Sequence, residues 1–293
     1  MDTVVVFGAP RSGTTFLLRC LEGLRGTVGK SGTLVPTLVP HLAGFGSNDS
    51  TERMLRESLS RSFHAYLKSD YHSRFQALEY WWRAPVQFDR LQHVIRSGSR
   101  PLPHRFVYKE PFFALSPELI VEGLPDAKII YIQRDGRDVA NSLVESYDVL
   151  TDQELTHLRS AEMRLGRSYD DRYVPWWVEK GRDEEFMEST QYVRAMWMWA
   201  YMVERCHQCF SQLGAEVLRI RYEELMCHPE EQGTRILNYL GAETAWSFRH
   251  HLNQARTTSI KKYKDRSKKE VKKAVNASSH ILSNALLDQL KAK

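Results

Sequence analysis

Two short stretches of this 293-residue chain carry side chains suited to gripping oxyanions. In GAPRSGTTFLLR, Gly8 and Gly13 are separated by four residues, and Arg11, Ser12, Thr14 and Thr15 lie within or just after that span. An apolar run from Val4 to Phe7 precedes the glycines and an amphipathic pattern follows, so the segment reads as strand, turn and helix. Such a turn aims backbone N–H groups and a helix N-terminus at one point, and its default ligand is a phosphate or a sulfonate. The glycine spacing has a P-loop shape, yet Thr14 stands where a nucleotide triphosphatase carries lysine. The cation has moved to Arg11, whose planar fork fits a tetrahedral oxyanion bidentately. Ser12, Thr14 and Thr15 add hydroxyl donors around the same anion.

The second stretch starts with KIIYIQ, Lys128 to Gln133, an apolar strand announced by Gly123, Pro125 and Asp126. Arg134 follows at its C-terminal end. Asp135 reads as the N-cap of a helix with Asp138 three positions on, and Val139, Ala140, Leu143 and Val144 form its apolar face. Ser142 lies near the second turn, so Arg134 and Ser142 can converge on one anion. Parallel α/β sheets hold ligands at C-terminal strand ends near a switch point, which places both motifs on one sheet edge. No G-x-G-x-x-G follows a strand, and the strand through Ile132 runs into Gln133 and Arg134. That puts positive charge where a metal-bound triphosphate requires a carboxylate.

Taken together, GAPRSGTTFLLR and IIYIQRDGRDVANS resemble the PAPS-dependent sulfotransferases. Two further blocks strengthen the likeness. Residues 108–138 (YKEPFF through RDGRD) are similar to the KDP-to-RDGR stretch of protein-tyrosine sulfotransferases, and VLRIRYEELMCHPEE, residues 217–231, resembles the family's YE-x-L segment. The four ordered blocks span about half of the chain. The resemblance implies a P-loop-like sulfotransferase fold: α/β, three layers, a mostly parallel central sheet with helices on both faces. It implies PAPS as donor, PAP as product and no metal. Arg11, Ser12, Gly13, Thr14 and Thr15 would grip the 5′-phosphosulfate, and Arg134 and Ser142, eight residues apart, the 3′-phosphate. Tyr222 would reach the adenine, and Ser259, Lys261 and Lys264 would sit in a flap over the 3′-phosphate.

Sulfuryl transfer asks a protein mainly to position an in-line nucleophile and to neutralise charge on the departing oxygens. Arg11 is the first choice for that charge. Lys109, which matches the lysine of the family's KDP motif, is the second. The family's two positions for a general base are vacant: residues 30–33 read Lys-Ser-Gly-Thr, and Pro111 stands two residues after Lys109. His41, Glu52, His64 and Glu110 remain. His41 is chosen because imidazole titrates near neutrality and this one follows the first helix in a loop rich in proline and glycine.

A hydrophobic content of 42% lets one α/β domain over residues 1–293 bury a substantial core. No window reaches the ~18 uninterrupted apolar residues of a membrane span, and the sequence runs straight into a strand instead of a signal peptide. A cytoplasmic protein with no membrane partner is expected. Four cysteines fit reduced thiols, and Cys206-x-x-Cys209 beside His207 falls in a helical pattern with no second pair, unlike a zinc knuckle. The net charge of +5 is concentrated in residues 256–273, where nine cations face Asp265 and Glu270. The remainder is near neutral, so no nucleic-acid-binding surface is expected. Up to Arg266 this run reads as the donor-covering flap, and beyond it as a solvated charged stretch.

Residues 47–99 and 150–190 match no motif and read as acceptor-site walls and lid. Trp197 and Tyr201, spaced i and i+4, are expected in the core, while Tyr80-Trp81-Trp82 and Trp176-Trp177 are candidates for a pocket. The aromatic walls would suit a flat or apolar acceptor and the acidic residues Asp170, Asp171, Glu179, Asp183, Glu184 and Glu185 a cationic one, of which the second is preferred. The sequence thus points to metal-independent sulfuryl transfer from PAPS to a hydroxyl or amine of a small molecule, in the manner of natural-product metabolism. The alternatives are a P-loop kinase of a small molecule and a non-catalytic polyanion binder using the basic run. Acceptor identity and oligomeric state are not legible.

Overall fold

The computed structural model describes residues 2–31, 104–147, 149–160 and 166–291, together with Ser50, Arg53, Met54, Glu57, Ser58 and Arg61. Among these residues the chain forms β1 (Asp2–Phe7), β2 (Thr27–Ser31), β3 (Arg105–Lys109), β4 (Lys128–Gln133), a hairpin of β5 (Gly166–Tyr169) and β6 (Arg172–Pro175), and β7 (Val217–Arg221). Five of them make a parallel sheet in the order β2-β3-β1-β4-β7. Val4, Val5, Val6 and Phe7 are all fully buried, the signature of a strand covered on both faces.

Alternation along the strands divides the core. Val5, Phe7, Phe106, Tyr108, Ile129 and Tyr131 face one cluster, which includes Val139, Ala140 and Leu143 of helix Gly136–Ser146 and Trp197 of helix Gln191–Gln212. Val4, Val6, Val107, Ile130 and Ile132 face the other, packed on Leu17 and Leu21 of helix Thr14–Glu22, Ile236 of helix Pro229–Leu240 and Phe248 of helix Trp246–Leu252. This is the expected three-layer α/β arrangement, in which each sheet face buries its apolar side chains against helices. The chain leaves β1 toward the β2 edge and leaves β4 toward the β7 edge, so connections diverge between β1 and β4. A crevice opens outside their C-terminal ends.

Several expectations are corrected. Within residues 150–190, the β5–β6 hairpin, helix Asp183–Met187 and the turn between them pack into the main core through Val174, Trp177, Phe186 and Met187. Trp177 meets Phe186 edge-on at 5.6 Å, and Trp176 meets Tyr201 at 5.8 Å, so this Trp pair packs the core. The acidic side chains there are largely used internally. Asp183 pairs with Arg167, Glu185 with Arg182 at 2.7 Å, and Glu179 accepts from the Trp197 indole at 3.1 Å and faces His280 at 3.3 Å.

The stretch past Arg266 is a packed helix, Lys268–Ser278, N-capped by the Ser267 hydroxyl. Its Ala274 and Ala277 are buried in the main core cluster, with Val271 and Val275 packed alongside. Four lysines hid that apolar stripe from a reading based on charge. Cys206 and Cys209 lie within helix Gln191–Gln212 as buried free thiols, and burial pushes the Cys20 thiol up to about 12. No helix among the described residues is long and apolar enough to cross a membrane. His41, Glu52, His64 and Tyr80-Trp81-Trp82 lie outside the described residues, as does almost all of 47–99.

Candidate active site

The loop after β1 is built by close approach. A Cβ on Gly8 would stand 2.5 Å from the Ile132 carbonyl oxygen, so only glycine lets this loop lie against the end of β4. Gly13, at φ 93°, would drive a Cβ to 2.5 Å from the Tyr222 ring. Helix Thr14–Glu22 begins there without a side-chain cap, which leaves its N-terminus to an external acceptor. Ser12 is buried, and its hydroxyl has no hydrogen-bond partner. Arg11 adopts a left-handed φ of 68°, a conformation uncommon outside glycine, and presents an exposed side chain. Its Nε donates to Ser142 Oγ at 2.9 Å, and its guanidinium lies 5.3 Å from the Tyr147 ring centre.

Arg134 is 6% exposed. Its two terminal nitrogens donate to the Arg11 carbonyl at 2.9 Å and the Ser259 carbonyl at 2.6 Å, while Nε is left without a partner. The guanidinium lies 4.6 Å over the Tyr222 ring, whose hydroxyl contacts Ser259 Oγ at 2.6 Å. The turn beneath is fixed from three sides. Asp135 caps helix Gly136–Ser146 and pairs with Arg137 at 2.6 Å, Glu223 accepts the Asp135 N–H at 2.8 Å, and the Trp199 indole donates to the Arg134 carbonyl at 3.1 Å.

Arg11, Gly13, Thr14 and Thr15 of the first motif and Arg134 and Ser142 of the second line one cavity of about 430 Å³ together with Tyr222 and Ser259. Among the described residues, the cations Arg11, Arg134, Arg256 and Lys262 face it against the carboxylates Asp138 and Glu145. The two anion motifs therefore share one space rather than forming separate cups, and Arg11 reaches across to the serine of the second. Lys261 and Lys264 are exposed and do not line the cavity. Lys261 takes a left-handed turn at φ 61°, and Lys262 and Arg256 line the wall instead.

Lys109 ends β3 at the same sheet edge, opposite Val6 in register, and does not line the cavity. Burial pushes its ammonium below the usual lysine range, with neighbouring Glu110 pulling it back. Glu110 itself is buried and accepts the Phe112 N–H at 3.3 Å as cap of the turn Pro111–Leu115, so its carboxylate serves the fold.

Sequence reasoning missed Asp138, Asn141, Glu145, Arg256 and Lys262 as parts of this wall. Helical spacing from Ser142 could have nominated Asp138 and Glu145, which lie four residues before it and three after on one face. Nothing local could have nominated Asp138 as partner of a segment 123 residues away.

Residues 3–247 match the family model described as "Sulfotransferase family". The protein-tyrosine sulfotransferase of Drosophila melanogaster is 22% identical over 281 residues, an alignment covering 94% of this chain but 46% of that protein. The chain thus spans about half the length of this relative. Among solved structures, a sulfotransferase from Alicyclobacillus acidocaldarius aligns over 100% of this chain and 96% of its own, at 15% identity and a TM-score of 0.48. A mouse sulfotransferase complexed with PAP aligns over 92% of this chain and 68% of its own, at 17% identity and a TM-score of 0.38. With its family model matched across the sheet, the glycine loop and the Arg134 helix, this chain belongs to the sulfotransferase family.

Proposed function

We propose that this chain transfers a sulfuryl group from PAPS to a hydroxyl or amine of a small-molecule acceptor. The observation that carries the proposal is the shared cavity, in which the loop after β1 and the Arg134–Ser142 pair meet across the switch point. The residues fit such a donor. A volume of about 430 Å³ lies in the range of small-molecule ligand sites. Arg134 Nε and Ser12 Oγ are buried polar atoms without partners, and Gly13 leaves room beside Tyr222 that any side chain would fill.

Arg134, Ser142 and Ser259 would hold the 3′-phosphate, with Arg256 and Lys262 supplying charge in place of Lys261 and Lys264. Ser12, Thr14, Thr15 and the helix N-terminus would hold the 5′ end, and the Tyr222 ring the adenine. PAPS, when bound, supplies an activated sulfuryl group attached to a phosphate that departs. Arg11, which lines the cavity, would neutralise the departing oxygens by charge and hydrogen bonding, and Lys109, at the end of β3 outside that lining, is the second candidate for this charge, so the proposal calls on no metal. His41 would take the acceptor's proton.

The likeness to a protein-tyrosine sulfotransferase favours a second acceptor class, a tyrosyl hydroxyl. One experiment addresses all of this: incubation with PAPS or ATP and a panel of phenols, alcohols, amines and a tyrosyl peptide, read by mass spectrometry. Gain of SO₃ from PAPS, with no phosphorylation from ATP, is expected. Phosphorylation instead would refute the donor assignment. In the same assay Lys109→Ala is expected to lower kcat on the order of 100-fold with little change in donor affinity. A His41→Ala protein turning over within a few-fold of the parent would remove His41 from the mechanism.

A further inference from the structure

We infer that Asp138 is a positioning residue for the donor: its carboxylate latches the strap of residues 259–263 onto the helix that carries Ser142, and nucleotide affinity depends on that latch. The inference rests on the donor assignment above. Asp138 is 2% exposed. Its Oδ2 accepts the Lys261 N–H at 2.7 Å and its Oδ1 accepts the Tyr263 N–H at 3.1 Å. Both bonds go to backbone, so they fix the path of the strap whatever its side chains do.

The strap in turn delivers Ser259, whose carbonyl accepts from Arg134 at 2.6 Å and whose hydroxyl contacts that of Tyr222 at 2.6 Å. Arg137, from the same helix as Asp138, lies 4.3 Å over the Tyr263 ring. Removing the latch takes away the bond made by the Lys261 N–H, while Lys261 still has to hold a left-handed conformation, a strained state for a residue with a side chain.

A carboxylate in the wall of an anion site is unfavourable on charge alone, because it repels the phosphate that Arg134 and Ser142 attract. Burial raises the Asp138 carboxyl above the usual aspartate range, while the two backbone N–H bonds and Arg134 oppose that rise. Charge and latch therefore give opposite signs for one substitution. Asp138→Asn removes the negative charge at constant size. It also leaves one acceptor oxygen for two N–H groups and turns an NH₂ donor toward one of them. If Asp138 acts only through charge, the variant binds the donor more tightly; if it is the latch, the variant binds more weakly. Glu145 supplies the comparison: it lines the same cavity from the same helix, and its carboxylate accepts from the Asn141 amide at 2.9 Å.

The test is calorimetric titration of the full chain with PAP, together with amide hydrogen exchange at Lys261 and Tyr263 without ligand. Asp138→Asn is expected to weaken PAP binding about tenfold or more and to strip protection from both amides. Its KM for PAPS rises, while kcat at saturating donor stays within about threefold. Glu145→Gln is expected to bind PAP at least as tightly as the parent. Unchanged or tighter binding by Asp138→Asn, or equal exchange at the two amides in both proteins, overturns the latch. Should the parent fail to bind PAP, the donor assignment falls and the exchange comparison still decides the latch. Should Asp138→Asn not fold, fast exchange at Lys261 and Tyr263 in the parent itself overturns it, and protection there supports it.

Discussion

Truncating Arg134 to alanine puts the donor assignment at greatest risk. The side chain is nearly buried, donates to the carbonyls of Arg11 and Ser259 at 2.9 and 2.6 Å, and stacks 4.6 Å above Tyr222. A charge-assisted hydrogen bond contributes about 1.5–3 kcal/mol net, and a partly desolvated cation–π contact about 0.5–2 kcal/mol. On the proposed donor assignment the truncation would remove at least one charge-assisted contact to a bound 3′-phosphate, and it removes the Arg134 bond to the Ser259 carbonyl. PAP affinity is expected to fall by about 2–4 kcal/mol, on the order of 30- to 1,000-fold in Kd. Arg134→Lys keeps the charge and loses the fork, so it falls between the parent and the alanine variant. The assay is calorimetric titration at fixed ionic strength with two ligands, PAP and adenosine 5′-monophosphate. Because the second lacks the 3′-phosphate, its affinity is expected to change little on mutation. Refutation is either PAP binding within about threefold of the parent or equal losses for both nucleotides.

Gly13→Ala forces a φ of 93° on a residue with a Cβ and sets that Cβ 2.5 Å from a Tyr222 ring already held by Ser259 and Arg134. Overpacking and strain together cost about 2–4 kcal/mol. A thermal midpoint lowered by several degrees with lost PAP binding is the expected result in a melt followed by titration; an unchanged midpoint contradicts the packing. His251 makes a pH-dependent contribution. Burial, then His250 and Arg19, hold its pKa below 6.5, so the folded state binds fewer protons than the unfolded one and stability falls as pH drops below that value. Thermal melts at about pH 7.5 and pH 5.5 should show a smaller acid loss in His251→Gln than in the parent, and an equal loss refutes the assignment.

The sequence alone determined the parts of this protein whose chemistry is local. The apolar Val4 to Phe7 run of β1, the glycine loop, the strand at 128–133 and the Asp135 cap were legible because each depends on residues within a few positions. The apposition of the two anion motifs followed from one general rule of parallel sheets. What lay beyond reach was any partner chosen by the fold over long separations. Asp138 read as a helix N-terminal acid, yet its oxygens hold a strap 123 residues away. The lysine-rich run after Arg266 read as solvated, yet Ala274 and Ala277 seat it on helix Gln191–Gln212. The acids of 170–185 and Trp176-Trp177 read as an acceptor wall, yet ion pairs and core packing engage most of them. Local sequence sets conformation because backbone propensity and capping act within a turn or two; the choice between solvent, core and cavity for a given side chain is made by whichever distant element arrives beside it, and only the tertiary structure contains that information.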